Sequence, residues 1–127
     1  MRNKKKLLRQ EALKLWYNKY LKNSCEVCGS NYILQAHHFY YRSSYGHLAF
    51  EKENHITLCR KCHFILHHQD PKKIEDKIRE KRGEKWYKKL QKMAQNRPEG
   101  SYLTKKWYEK QIQKLHKISS LKNFAGN

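Results

Sequence analysis

The sequence lacks any long apolar run. No segment approaches the roughly 20 apolar residues that a helix needs to cross a membrane, so no membrane-spanning segment is expected. A secretory signal is also missing, because the basic start of the chain is followed only by Leu7 and Leu8 before the sequence turns polar. We therefore expect a cytoplasmic protein, in which paired cysteines favour a metal over a disulfide.

Apolar and acidic residues are both scarce. Apolar residues make up 38% of the 127 residues and charged ones 31%, which limits the chain to one modest core. A core of this size usually needs support from a disulfide, a metal ion or a partner subunit. Only 11 acidic residues stand against 29 Lys and Arg, for a formal net charge of +18. This excess exceeds what solubility requires and indicates a polyanionic partner, of which nucleic acid is the leading candidate.

The positive charge is concentrated at the two ends of the chain. Residues 1–23 hold eight basic residues and one acidic, residues 24–69 four and three, and residues 70–127 seventeen and seven. The nearly neutral middle contains all four cysteines and most of the histidines. We therefore predict one compact domain with three segments: a basic amphipathic N-terminal helix at 1–23, a metal-supported core at 24–69 and a basic helical extension at 70–127.

Apolar spacing and turn residues predict five helices and two short strands. The helices are expected at 5–21, 60–68, 72–82, 84–95 and 103–118, and residues 121–127 are expected to be frayed. The strands are expected at 32–36 and 55–58, with a long functional loop at 40–53. Asp70 and Pro71 are typical of a helix start, and Gly83 interrupts the helical pattern.

The four cysteines form two Cys-x-x-Cys pairs. They are Cys25 with Cys28, and Cys59 with Cys62. Four thiolates suit a tetrahedral zinc ion, which would be structural because no ligand position is left for water. The alternative, four free buried cysteines, would rarely fall by chance into two such pairs. The 30 residues between the pairs exceed the usual spacing of roughly 15–20, so an additional element must be enclosed.

Histidines and one asparagine follow a fixed order within and just after this enclosed segment. They are His37, His38, Asn54, His63 and His67. The surrounding text reads Cys-Glu-Val-Cys-Gly from residue 25, Leu-Gln-Ala-His-His-Phe from residue 34, and Glu-Asn-His-Ile-Thr-Leu-Cys-Arg-Lys-Cys-His from residue 53. In this order the chain resembles the HNH endonucleases, and the resemblance covers about residues 25–67.

This resemblance implies an α+β protein with a small ββα-metal core, held by the zinc site and flanked by basic helices at both ends. It also implies metal-dependent hydrolysis of DNA phosphodiester bonds that leaves 5′-phosphate and 3′-hydroxyl ends. His38, at the end of the first strand, would be the general base, and Asn54 would organise the loop that carries it. A neutral imidazole suits the first role because its pKa lies near the working pH.

A second metal site is expected from the remaining histidines. His63 and His67 are four residues apart on a predicted helix and therefore share one face. With His37 they offer three nitrogens to a catalytic divalent cation such as Mg²⁺ or Mn²⁺. Which of these three residues and Asn54 ligate the cation is left open. The other histidines are interpreted as core or surface residues; they are His47, His55, His68 and His116.

A narrower resemblance concerns substrate. The run from Gln35 to Arg42, the run from Leu48 to Asn54 and the Lys-Trp-Tyr sequence at 85–87 look like the NinG/Rap recombination nucleases of phages. Membership would imply branched recombination intermediates, such as Holliday junctions or D-loops, as substrates, and the host cytoplasm as location. Here, however, histidine stands at 63 and 37, where that family often has Asn and Gly. Cutting of branched DNA usually needs two active sites, which would imply a homodimer, although no residue establishes one.

DNA contacts are expected from three basic residues near the site. Arg42 follows the proposed base, whereas Arg60 and Lys61 lie between the zinc cysteines. The alternative to an enzyme is a non-catalytic, zinc-dependent nucleic-acid-binding module. A purely structural adaptor fits the charge poorly.

Overall fold

The computed structural model describes residues 2–99 and 102–125, with side chains described for residues 3–99 and 102–117. Within these ranges the chain forms five α-helices and two β-strands. In chain order they are α1 (Arg2–Lys19), β1 (Leu34–His38), β2 (His55–Cys59), α2 (Arg60–His68), α3 (Pro71–Arg82), α4 (Glu84–Gln95) and α5 (Lys105–Ala125). The two strands followed by α2, with helices on either side, confirm the predicted α+β class and its small ββα core.

The strands pair antiparallel, with Ala36 opposite Thr57 and His38 opposite His55. The first strand begins two residues later than predicted because Ile33 has a φ of 49°, outside the extended region. The second strand leads directly into α2, and the Sγ atom of Cys59 accepts a hydrogen bond from the backbone N–H of Cys62 at the helix start. One face of the sheet and α2 pack on α3 through Leu58, Leu66 and Ile78.

The chain between the strands is the predicted long loop, here residues 39–54. It contains two single 3-10 turns, Gly46–Leu48 and Lys52–Asn54. Leu48 packs on α4 through Leu90 and Ala94. The loop is therefore anchored on the helical extension as well as on the strands.

The two ends of the chain meet in a second core. Helix α1 packs along α5, and Ala12 and Trp16 join Phe50 of the loop and Tyr108 and Leu115 of α5. Among the described residues, no helix is both long enough and apolar enough to span a membrane.

Most predicted helices agree with the structure, but the predicted bounds of the first and the last helix do not. Helix α1 runs over Arg2–Lys19 rather than 5–21, and α5 runs to Ala125 rather than ending at 118. The predicted end at 118 is therefore wrong, because no glycine or proline interrupts the sequence before residue 126; the fraying expected from residue 121 stays a prediction. Residues 126 and 127 lie outside the described residues.

Candidate functional site

The four cysteines converge on one point between the two knuckles. Their Sγ atoms all lie within 4.8 Å of one another, and those of Cys28 and Cys59 are 3.5 Å apart. Zinc–sulfur bonds of roughly 2.3 Å in a tetrahedron place sulfur atoms about 3.8 Å apart, so the cluster fits a zinc ion. Gly29, with a φ of 79°, closes the first knuckle in a left-handed conformation.

The thiols are electrostatically unequal. Burial raises the pKa of Cys25, but hydrogen bonds from the backbone of Cys28, Cys59 and Val27 outweigh this and lower it to about 7. Burial raises the pKa of Cys62 above its ordinary value. The cluster therefore already favours one thiolate, and a cation there would favour the others.

Three histidines form a second cluster beside the sheet. The ring nitrogens of His37, His63 and His67 lie within 4.8 Å of one another, and the Nε2 atoms of the latter two are 3.2 Å apart. Metal–nitrogen bonds of about 2.1 Å place neighbouring ligand nitrogens roughly 3.0–3.4 Å apart, depending on the geometry. We call these residues the histidine triad. Their donor set and spacing fit one divalent cation.

The triad is supplied by two elements. His37 lies buried on β1, while His63 and His67 lie one turn apart on the same face of α2. Burial, together with a smaller effect of the neighbouring imidazoles of His67 and His63, lowers the pKa of His37 to about 3. A neutral imidazole keeps the lone pair that metal binding requires.

His38 faces the opposite side of β1, against helix α1. Its ring stacks on the indole of Trp16 with centroids 4.0 Å apart and planes 11° apart, and its Nε2 lies 2.9 Å from the carbonyl oxygen of Ala49. Because a carbonyl oxygen only accepts, the proton must be on Nε2, and Nδ1 carries the lone pair. Trp16 and Ala49 thus fix both the plane and the tautomer of this imidazole.

The charge state of His38 follows from its surroundings. Burial lowers the pKa of His38 to about 4; the hydrogen bond with Ala49 opposes this shift, while the positive charge of Arg42 adds to it. The ring is therefore neutral near pH 7 and able to accept a proton.

Asn54 is completely buried at the end of the long loop. Its Oδ1 accepts from the backbone N–H of Tyr40 at 2.8 Å, and its Nδ2 donates to the carbonyl oxygens of Tyr40 and Leu48 at 3.0 and 3.2 Å. These bonds join the two ends of residues 39–54. They hold the loop whose Ala49 carbonyl orients His38.

One cavity of about 680 Å³ connects the histidines. His37, His38 and His67 all line it, together with Arg42 from the loop and Arg9 from α1. We call it the site cavity. It places the predicted base and two members of the triad within reach of one bound molecule.

The predicted site residues are thus brought together, apart from two basic ones. Arg60 and Lys61 are exposed at the start of α2 and do not line the site cavity. Four histidines were interpreted as core or surface residues. Of these, His47 and His55 are buried, and His68 and His116 are exposed.

Three residues of the site have no sequence signal that points to it. Trp16 and Arg9 belong to the predicted amphipathic helix, and Ala49 contributes only its backbone carbonyl. A stripe indicates that a helix packs, but not on which residue it packs. No sequence signal marks a backbone carbonyl as the partner of an imidazole.

Comparison with known families agrees with this geometry. Residues 25–69, about a third of the chain, match the model of the HNH endonuclease family. Neither curated proteins nor solved structures gave a match. The matched range, which we call the HNH segment, contains both cysteine pairs, His38, Asn54 and the whole triad; this similarity supports a nuclease or nucleic-acid-binding role with a zinc site.

Proposed function

We propose that the protein is a metal-dependent DNA endonuclease that hydrolyses phosphodiester bonds with His38 as general base. One observation carries the proposal: the site cavity is lined at once by a neutral, oriented imidazole and by two histidines of a metal-compatible triad. A nucleic-acid-binding module without catalysis would not need a base of fixed tautomer beside such a cluster.

The chemistry assigned to His38 is a single proton transfer. A water molecule in the site cavity gives a proton to Nδ1 as its oxygen bonds to phosphorus, and the bond from phosphorus to the 3′ oxygen breaks. The departing oxygen takes a proton from solvent, which leaves 3′-hydroxyl and 5′-phosphate ends. The contacts with Trp16 and Ala49 hold the ring of His38 in one orientation, and therefore fix the position of Nδ1, while the ring becomes charged.

The histidine triad would hold the catalytic divalent cation. Such a cation stabilises the negative charge that develops on the phosphate and on the leaving oxygen. Three protein ligands leave further positions for substrate. The thiolate cluster would hold a separate zinc with no open position, so its part is to fix α2 and β2 relative to the first knuckle.

DNA as substrate is supported by charge. The chain carries a net +18, and Arg9 and Arg42 line the site cavity while no described residue lining it is acidic. Branched recombination intermediates remain a finer prediction. A panel of linear duplex, nicked duplex and four-way junctions tests it, and equal low-level cutting of all of them would argue against that preference.

The deciding experiment replaces the base. With zinc-loaded protein and added Mg²⁺ or Mn²⁺, we expect wild type to cut DNA and His38→Ala to lose at least about a hundredfold in rate, the usual contribution of general base catalysis. Zinc content and DNA affinity should be unchanged. His116→Ala, which removes an exposed imidazole on α5, is the matched control and should cut as wild type does.

The outcome also separates the two candidate functions. If His38→Ala cuts as fast as wild type, the proposal is wrong. If wild type cuts no duplex, nicked or branched DNA with Mg²⁺, Mn²⁺, Ni²⁺ or Zn²⁺, yet binds these DNAs with steep salt dependence, the non-catalytic binding module is correct.

A further inference from the structure

The site cavity has an apolar wall that phosphodiester hydrolysis does not use. Beyond the histidines it is lined by Leu13 of α1, Ala36 of β1, Phe50 of the loop, Leu103 just before α5 and Tyr108 in its first turn. A phosphate and its attacking water need charge and hydrogen bonds, and gain nothing from such a wall. The cavity is also within the size range of pockets that hold small organic molecules.

Two apolar side chains at this cavity are open to solvent. Tyr41 is 46% exposed and Leu103 is 36% exposed. The ring of Tyr41 meets His37 edge-on with centroids 5.8 Å apart, so this aromatic surface begins beside the histidine triad. Leu103 is held in place against Gly46, where an added Cβ would lie 3.0 Å from its methyl carbon.

The polar groups of the cavity favour an anion. Arg9 is half-buried on α1 and Arg42 is exposed on the loop, and neither forms an ion pair with a described carboxylate. Since no described residue of the lining is acidic, the cavity combines unpaired positive charge with a flat apolar surface. A nucleotide has this pairing of chemistry, an anionic phosphate joined to a planar base, whereas an apolar peptide side chain lacks the anion.

We propose that the site cavity takes an unstacked nucleobase of the substrate strand, next to the phosphate that is cut, with Tyr41 and Leu103 against the base and Arg9 and Arg42 on adjacent phosphates. The assignment of the cut phosphate rests on the proposed function. A base inside an intact duplex cannot enter without losing its pairing and stacking, which opposes binding. The preferred substrates are therefore those with an unpaired nucleotide at the cut site, such as bulges, gaps and branch points.

Binding to a non-cutting variant tests the pocket separately from cleavage. Zinc-loaded His38→Ala is titrated with three duplexes of one sequence: fully paired, with one bulged 2-aminopurine nucleotide, and with an abasic residue at the bulge. We expect the bulged base to bind roughly 5- to 150-fold more tightly than the abasic duplex, the range of base–aromatic stacking. Its fluorescence should also change on binding.

Variants of the apolar surface show which side chains produce the preference for the bulged base. In the same background, Tyr41→Ala and Leu103→Ala should each remove most of the preference for the base, whereas Tyr41→Phe, which keeps the ring, should retain it. Tyr32→Ala is the matched control, because Tyr32 is 66% exposed and does not line the site cavity. Zinc content and thermal melting confirm that each variant is folded.

The two proposals fail in different ways. Equal affinity for the base and the abasic duplex overturns the nucleobase pocket, even if wild type cuts DNA. A preference for the base that depends on Tyr41, in a wild type that cuts nothing, retains the pocket and overturns the nuclease.

Discussion

At the scale of single residues, Asn54 is the most constrained polar side chain of the long loop. Its amide satisfies three backbone groups of Tyr40 and Leu48 in a place from which water is excluded. Asn54→Ala should lower the free energy of unfolding by more than about 2 kcal/mol, because each backbone group left unpaired costs about 1–3 kcal/mol. Urea unfolding of the zinc-loaded protein measures this.

The control for Asn54 lies on α1. Asn18 is exposed, so Asn18→Ala should leave the unfolding free energy unchanged or raise it slightly through better helix propensity. Equal effects of the two substitutions would contradict the role assigned to Asn54.

His55 makes stability depend on pH. Burial between Trp16 and Tyr20 lowers its pKa, and the hydrogen bond between Nε2 and the carbonyl oxygen of Tyr17 offsets this only in part. An unfolded histidine has a pKa of about 6.5, so the unfolded chain binds the proton first. The contribution of His55 to stability is thus complete above about pH 6.5 and is lost as the pH falls towards the folded pKa.

A single substitution isolates this dependence. His55→Gln keeps a donor for Tyr17, and should lose less stability than wild type between about pH 7 and about pH 5. His116→Gln, at an exposed position, should follow wild type. His37 and His38, whose pKa values are also lowered, contribute to the acid dependence that remains. An identical acid dependence for His55→Gln and wild type would show that His55 does not contribute.

The sequence predicted the members of both clusters but not the partners that orient them. Cysteine spacing and the four-residue spacing of His63 and His67 are local, so they can be read from a helix and two turns. The stack of Trp16 on His38 joins residues 22 positions apart and depends on where α1 docks. Such contacts follow from tertiary packing, which local periodicity does not encode.

At the scale of elements, Arg82 links α3 to the turn between Cys25 and Cys28. Its Nε and Nη2 donate to the carboxylate of Glu26 at 2.7 and 2.9 Å, and Nη2 also donates to the carbonyl oxygen of His55 at 2.6 Å. Both side chains of the ion pair are largely shielded from solvent. Burial raises the pKa of Glu26, but hydrogen bonds from Arg82 and Thr57 outweigh it and lower the pKa.

Breaking this link should therefore be costly. Arg82→Ala leaves a buried carboxylate without its main partner, and we expect a loss of about 3 kcal/mol or more in urea unfolding. Lys72→Ala breaks an exposed ion pair with Asp76 on the same helix and should cause no measurable change. If both variants unfold alike, Arg82 does not hold α3 in place.

Element boundaries were predicted where capping is local and missed where it is not. Asp70 caps α3 by accepting from the backbone N–H of Lys73, as its position before Pro71 indicates. The end of α5 was missed because composition alone suggested fraying, whereas the chain continues as helix to Ala125. The late start of β1 depends on the backbone of Ile33, which its residue type does not predict.

At the scale of the whole molecule, the HNH segment depends on both ends of the chain. Trp16 of α1 packs on His38, while Arg82 and Trp86 from the extension bond to carbonyl oxygens of residues 53 and 55. We expect a zinc-loaded fragment of residues 24–69 to lack the cooperative thermal transition of the full chain, because it leaves much of both cores uncovered. Circular dichroism and zinc affinity measure this; a fragment that melts like the full chain would contradict it.

Helix α2 belongs to both metal-compatible clusters, since Cys62 and His63 are consecutive residues and Cys59 precedes the helix. If binding of either ion orders α2, the two binding equilibria are linked, and each ion would raise the affinity for the other by the same factor. A shortage of zinc would then weaken the hold on the second ion before the chain unfolds. If the proposed nuclease function is correct, its activity would then depend on the zinc supply, although the cysteines take no part in the proposed reaction.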